Sequence, residues 1–201
     1  MARLTRGPVL ARAAGLLVLA ALALAIMRRG LAPSSGNGPT PFGGGVLAFI
    51  HMIDLVFHEA GHPIFGLFGR FLGTLGGSLN QVLIPAICTG YFVWHARPAA
   101  AAVMLFWVGE NIVDVGIYAA DGRDMKLPLL AEGLTHDWNW ILSELSLRNQ
   151  ADAIGRAIFL LGVLTLLAAL ALLALDLLRA ASAPPPPEVR PLPSAPDGTR
   201  T

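Results

Sequence analysis

Apolar residues along this chain come in long runs, not in the short alternations or narrow stripes of a soluble domain. A helix that crosses a bilayer needs about 20 predominantly apolar residues. Five segments approach that length: residues 9–27, 46–68, 79–94, 99–120 and 154–178. The last is the cleanest, the second is interrupted by polar groups, and the third is short and carries Pro85. The first has the charged start of a secretory signal in Arg3 and Arg6. Arg28 and Arg29 stand where a cleavage site would be, so it is read as a span. The pattern predicts an all-α, polytopic transmembrane helical bundle of about five spans. Within the polar stretch 121–149, Trp138, Ile141, Leu142 and Leu145 share one helical face, which predicts an interfacial helix. Residues 30–45 are a Gly/Pro/Ser-rich loop, and the glycines of 69–77 read as a tight turn or re-entrant element. Residues 1–182 are read as one transmembrane, metal-binding domain, and residues 183–201 as a disordered Pro-rich tail.

Composition narrows the class further. Of the 201 residues, 55% are apolar and 13% charged, about half the charged share of an ordinary soluble domain. Mean hydropathy is +0.63. The formal net charge of +1 offers no basic face for nucleic acid. The single cysteine, Cys88, excludes an intrachain disulfide and any cysteine-rich metal site. Basic residues in short loops favour a cytoplasmic N-terminus and a cytoplasmic 121–149 loop. The expected setting is an integral membrane protein of the bacterial inner membrane, with the lipid bilayer as its partner.

Ionisable groups at membrane depth are costly, so each is a functional candidate. The second segment holds His51, Asp54, His58, Glu59 and His62, and the fourth holds Glu110 and Asp114. His58-Glu59-Ala60-Gly61-His62 reads H-E-x-x-H. Residues four apart on a helix share a face, so both imidazoles reach one metal ion, and Glu59 can serve a metal-bound water as general base. Catalytic zinc takes three protein ligands and leaves a position for water. Cys88 is one source of the third, but it lies on an apolar segment. Glu110 and Asp114 are better placed, because they share a face. Counted along their helices at about 1.5 Å per residue, they lie level with His58 and His62.

The pair of motifs, HEAGH and then GENIVD, resembles the gluzincin zinc peptidases, with H-E-x-x-H followed by E-x-x-x-D on a second helix. That resemblance implies Glu110 as the third ligand and Asp114 as the carboxylate partner of His58. FHEAGHPIFGLFG within a span also resembles the site-2 protease class of intramembrane zinc peptidases. There the third ligand is a later Asp in an L-D-G context, which points to Asp114, although this chain has VDVG. The two resemblances leave Glu110 and Asp114 as alternative ligands, with Glu110 preferred.

Three further readings follow. Asp54 and His51 extend the metal stripe, as a hydrogen-bonded pair or as support for it. His136, in THDWNW, falls on the metal side and is a candidate donor to a tetrahedral oxyanion; Thr135 or Asp137 then caps the interfacial helix. His95 reads as an interface residue. The expected activity is an intramembrane, Zn2+-dependent, peptidase-like hydrolysis of a membrane protein or peptide. The rivals are a zinc-dependent lipid amide or ester hydrolase and a non-catalytic metal-binding membrane protein.

Overall fold

The structure, a computed structural model, describes residues 6–31, 45–129 and 135–183. They form six α-helices: α1 Arg6–Arg29, α2 Val46–Gly66, α3 Arg70–Trp94, α4 Pro98–Asp121, α5 Asp137–Glu144 and α6 Ala151–Ser182. A 3-10 turn, Arg148–Gln150, leads into α6, and no strand occurs among the described residues. Helices α1, α3, α4 and α6 are long and apolar enough to cross a membrane. α2 has 21 residues, which is long enough, but its five ionisable side chains lower its hydropathy. The chain is thus an all-helical membrane protein. The 30–45 loop, apart from its ends, and the tail from residue 184 lie outside the described residues.

α4 is the most buried helix and the centre of the bundle. It meets α6 through small residues at matching seven-residue spacing, Gly109 and Gly116 on one side and Gly155 and Gly162 on the other. A Cβ on Gly116 would stand 2.6 Å from the Phe159 backbone nitrogen, and one on Gly162 would stand 2.7 Å from that of Val113. Such close backbone approach is how helices associate where lipid removes the hydrophobic drive. Phe106, Val113, Ile117 and Leu166 fill the seam, and Ala23 and Ile26 of α1 close it. Arg12 of α1 pairs with Asp176 of α6, so neither charge is left alone in the apolar layer.

α3 differs from the sequence expectation. It is one helix of 25 residues: Gly69 makes the expected tight turn before it, and Gly73, Gly76 and Gly77 lie in its first turns rather than in a turn or re-entrant element. Their purpose is contact with α2. A Cβ on Gly61 would run into the Gly76 carbonyl, and one on Gly76 would stand 2.6 Å from the Phe65 Cβ. Pro85 removes one ladder bond without ending the helix, and Thr89 Oγ1 donates to the Pro85 carbonyl at 2.8 Å. The reversal between α2 and α3 uses Gly69 at φ 100°, where other residues are strained.

α5 packs Trp138, Ile141 and Leu142 inward against α3 and α4, whereas Leu145 lies past its end and is exposed. Trp138 Nε1 donates to Ser78 Oγ of α3 at 3.1 Å. The helix start is fixed from α4: the Asp121 carboxylate accepts from the backbone N–H groups of Lys126 and Leu127 at 2.8 and 2.9 Å and lies 3.2 Å from His136 Nε2. His136 itself caps α5, its Nδ1 accepting from Asn139 N at 3.2 Å. The capping role thus belongs to neither Thr135 nor Asp137.

Candidate metal centre

The α2–α3 crossing carries the H-E-x-x-H residues. The rings of His58 and His62 have centroids 5.0 Å apart. Each of His58, Glu59 and His62 offers one ligand atom within 4.8 Å of the others. His58 is buried, His62 half-buried and Glu59 exposed. Behind the rings, α3 supplies oxygen acceptors: His58 Nδ1 lies 2.7 Å from Gln81 Oε1, and His62 Nδ1 lies 2.9 Å from the Gly73 carbonyl. An oxygen acceptor holds the proton on Nδ1, which leaves the Nε2 lone pair free to bind a metal. Gly77 makes room for this. A Cβ there would stand 2.5 Å from His58 Nε2.

Both Nε2 atoms converge on Asp137 Oδ2, His58 at 3.0 Å and His62 at 3.4 Å. Two lone pairs facing a carboxylate oxygen repel unless a cation or a proton stands among them. Ligands of a tetrahedral ion with bonds of about 2.0–2.1 Å stand roughly 3.3 Å apart, near the two separations from Asp137, and two imidazoles with a carboxylate are a donor set that zinc accepts. From sequence, Asp137 has only a capping role. A signal was present: Asp137 is four residues before Ile141 and so shares the inward face of α5. Its backbone N–H donates to Tyr118 Oη at 3.1 Å, which holds it against α4.

Glu110 and Asp114 do not join this group. One carboxylate oxygen from each lies within 4.8 Å of Asp54 and of the other. Asp114 Oδ2 is 2.9 Å from His51 Nδ1, and Asp54 Oδ1 accepts from Trp107 Nε1 at 2.7 Å and Asn111 Nδ2 at 3.1 Å. The carboxylate beside His58 is Asp137, in the place the resemblance implied for Asp114. The displacement has a register cause. The α4 ring packed on His58 is that of Tyr118, two helical turns beyond Glu110, with centroids 5.9 Å apart. Counting from the first apolar residue assumes that both helices start at one depth. In the structure α2 starts at Val46 and α4 at Pro98, close to where the sequence puts them, yet the α4 ring packed on His58 is that of Tyr118, so the two starts do not lie at one depth.

His136 turns both ring nitrogens to other partners. It is buried, and its ring stacks on Tyr118 at 4.3 Å. Cys88 lies in α3, partly exposed. His95 is exposed past the end of α3, with Nδ1 2.8 Å from the Tyr91 carbonyl.

A cavity of about 650 Å³ opens onto the group. His58, Glu59, His62, Tyr118 and Asp137 line its polar wall, and Met52, Leu55, Val115 and Leu127 are among its apolar residues. Tyr118 Oη accepts from the Asp137 N–H, and among the described residues no hydrogen bond donated by its hydroxyl occurs. Compared with known proteins, the chain matches no family model, no curated protein and no solved structure.

Proposed function

We propose that this chain is a membrane-embedded, zinc-dependent hydrolase that cleaves an amide bond, in the first place a peptide bond. The observation that carries the reading is the pair of histidines whose Nδ1 atoms are held by Gln81 and Gly73 while both Nε2 atoms turn to Asp137. His58, His62 and Asp137 would hold the ion; Glu110 and Asp114 belong to a separate group. Bound zinc would polarise the scissile carbonyl and acidify the attacking water. Glu59, exposed on the cavity wall, takes the water proton on its carboxylate and returns it to the leaving nitrogen. The Tyr118 hydroxyl donates to the carbonyl oxygen as negative charge builds there. A site that only stored metal would have no use for a base beside its ligands, which supports an enzyme over a non-catalytic binding protein.

A lipid amide or ester is the second substrate reading. Two observations favour it: the wall beside α2 is the helix α3, where a strand would be needed to pair an extended peptide, and much of the cavity lining is apolar. Helical spans support an inner over an outer bacterial membrane, since outer-membrane spans are strands of closed barrels; membrane fractionation tests it.

The test is to purify the wild type and Glu59→Gln, measure zinc by elemental analysis, and assay both on a labelled transmembrane peptide and an N-acyl lipid amide. The expected result is one zinc in each protein and turnover that falls about 10²–10⁴-fold in Glu59→Gln. Equal turnover in both proteins overturns the enzymatic reading, and the substrate cleaved separates its two forms.

A further inference from the structure

The group formed by Asp54, Glu110 and Asp114 is unusual for the interior of a membrane bundle. All three side chains are almost fully buried, at 1%, 1% and 2% exposure. An acidic cluster alone is no site, but the oxygens here lack donors. Both carboxylate oxygens of Glu110, Asp54 Oδ2, Asp114 Oδ1 and Asn111 Oδ1 are buried without a hydrogen-bond partner, and the three Arg29 guanidinium nitrogens stop short of them, likewise unpartnered. Such groups are rare, and each asks for a missing partner.

The available positive charge does not reach them all. His51 Nδ1 is 2.9 Å from Asp114 Oδ2, and the Arg29 guanidinium is 3.8 Å from Asp114 Oδ1. Both of these contacts fall on Asp114. Asp54 receives neutral donors from Trp107 and Asn111, and both land on Oδ1. Asp54 Oδ2 and the Glu110 carboxylate are left facing a shared space.

We propose that Asp54, Glu110 and Asp114, with Asn111 Oδ1, bind a hard divalent cation, Ca2+ or Mg2+, at a second site apart from His58, His62 and Asp137. The ligand set is all oxygen, which suits hard cations and not zinc. One oxygen from each carboxylate lies within 4.8 Å of the others, so all three fit around one ion with bonds of about 2.3–2.6 Å. Three carboxylates set against Arg29 and His51 leave a net negative charge, which a divalent ion offsets. Asp114 also lines the cavity, which gives the ion an entry route. Once bound, the ion ties α2, which carries H-E-x-x-H, to the central helix α4. This site stands whether or not the first one holds zinc.

The experiment uses the full chain in detergent, zinc-loaded and stripped of other divalent ions. Ca2+ and Mg2+ are titrated separately by calorimetry, and melting temperature is followed alongside. The wild type is expected to take up one equivalent of Ca2+ or Mg2+ beyond its zinc, with a rise in Tm. Glu110→Gln, and Asp54→Asn as a second variant, should weaken that uptake about tenfold or more and leave zinc content unchanged. The His58→Ala/His62→Ala variant should keep it. Failure of the wild type to bind either ion at millimolar concentration overturns the proposal. So does uptake that is unchanged in both carboxamide variants, or uptake that disappears with the two histidines. A wild-type Tm indifferent to both ions that rises in Glu110→Gln would mean the cluster holds protons instead, and would also overturn it.

Discussion

α2 carries two polar groups one turn apart, and they are built on opposite principles. Around His58 and His62 every ring nitrogen has a defined partner, with Nδ1 tied to an oxygen on α3 and Nε2 facing Asp137. Around Asp54 several acidic oxygens have no donor within hydrogen-bond reach. The first group borders the cavity through His58, His62 and Asp137, whereas the second reaches it only through Asp114, with Glu110 and Asp54 buried. The contrast separates two ways of preparing a cation site. One orients a few lone pairs by hydrogen bonds behind the ligands and leaves room in front for a substrate. The other collects negative charge and relies on burial. The first presents most of its side chains to the cavity, and the second presents only Asp114.

The largest effect that sharpens this contrast belongs to Tyr118. If the front of the histidine group is where charge develops, Tyr118→Phe should lower turnover about 10²–10³-fold while zinc content and substrate binding hold. Steady-state kinetics and metal analysis check this together. A loss of zinc instead would mean that the Tyr118 bond to Asp137 is what matters. Next comes the support behind the ligands. Gln81→Ala removes the acceptor on His58 Nδ1 and should weaken zinc affinity about 10–100-fold, measured by competition with a zinc-sensitive dye. An unchanged affinity would break the claim that the lone pairs are directed. The smallest effect is at His136, which is cap and packing. His136→Ala should destabilise the α5 start by about 1 kcal/mol, read from thermal or denaturant melts, and leave zinc affinity unaltered.

Much of the fold is legible in the sequence because the bilayer enforces it: an apolar run near 20 residues has few alternatives to a spanning helix. The start of α3 is not, because glycines read locally as helix breakers. Here Gly73, Gly76 and Gly77 let α2 come close, a use that depends on a neighbour the local sequence does not reveal. The histidine pair is legible because four-residue spacing on one helix is local geometry. The third carboxylate is not, because it depends on the register between helices. Glu110 and Asp114 have the right chemistry and face α2, yet α4 is shifted so that Tyr118 meets His58. Asp137 arrives from a short helix far along the chain, held by Trp138 on Ser78 and by the Asp121 carboxylate at its start.

The central claim is that Asp137, not Glu110, completes the zinc site with His58 and His62. Zinc affinity compared in Asp137→Ala and Glu110→Ala, in buffer holding millimolar Ca2+ and Mg2+, tests it most directly. Asp137→Ala should weaken zinc binding by more than the roughly 10–100-fold typical of a group behind a ligand, and Glu110→Ala should leave it within that bound. X-ray absorption at the zinc edge should report two imidazoles and one carboxylate in the wild type, with the carboxylate lost in Asp137→Ala. Zinc that survives Asp137→Ala with its carboxylate intact, and is lost in Glu110→Ala, would contradict the account.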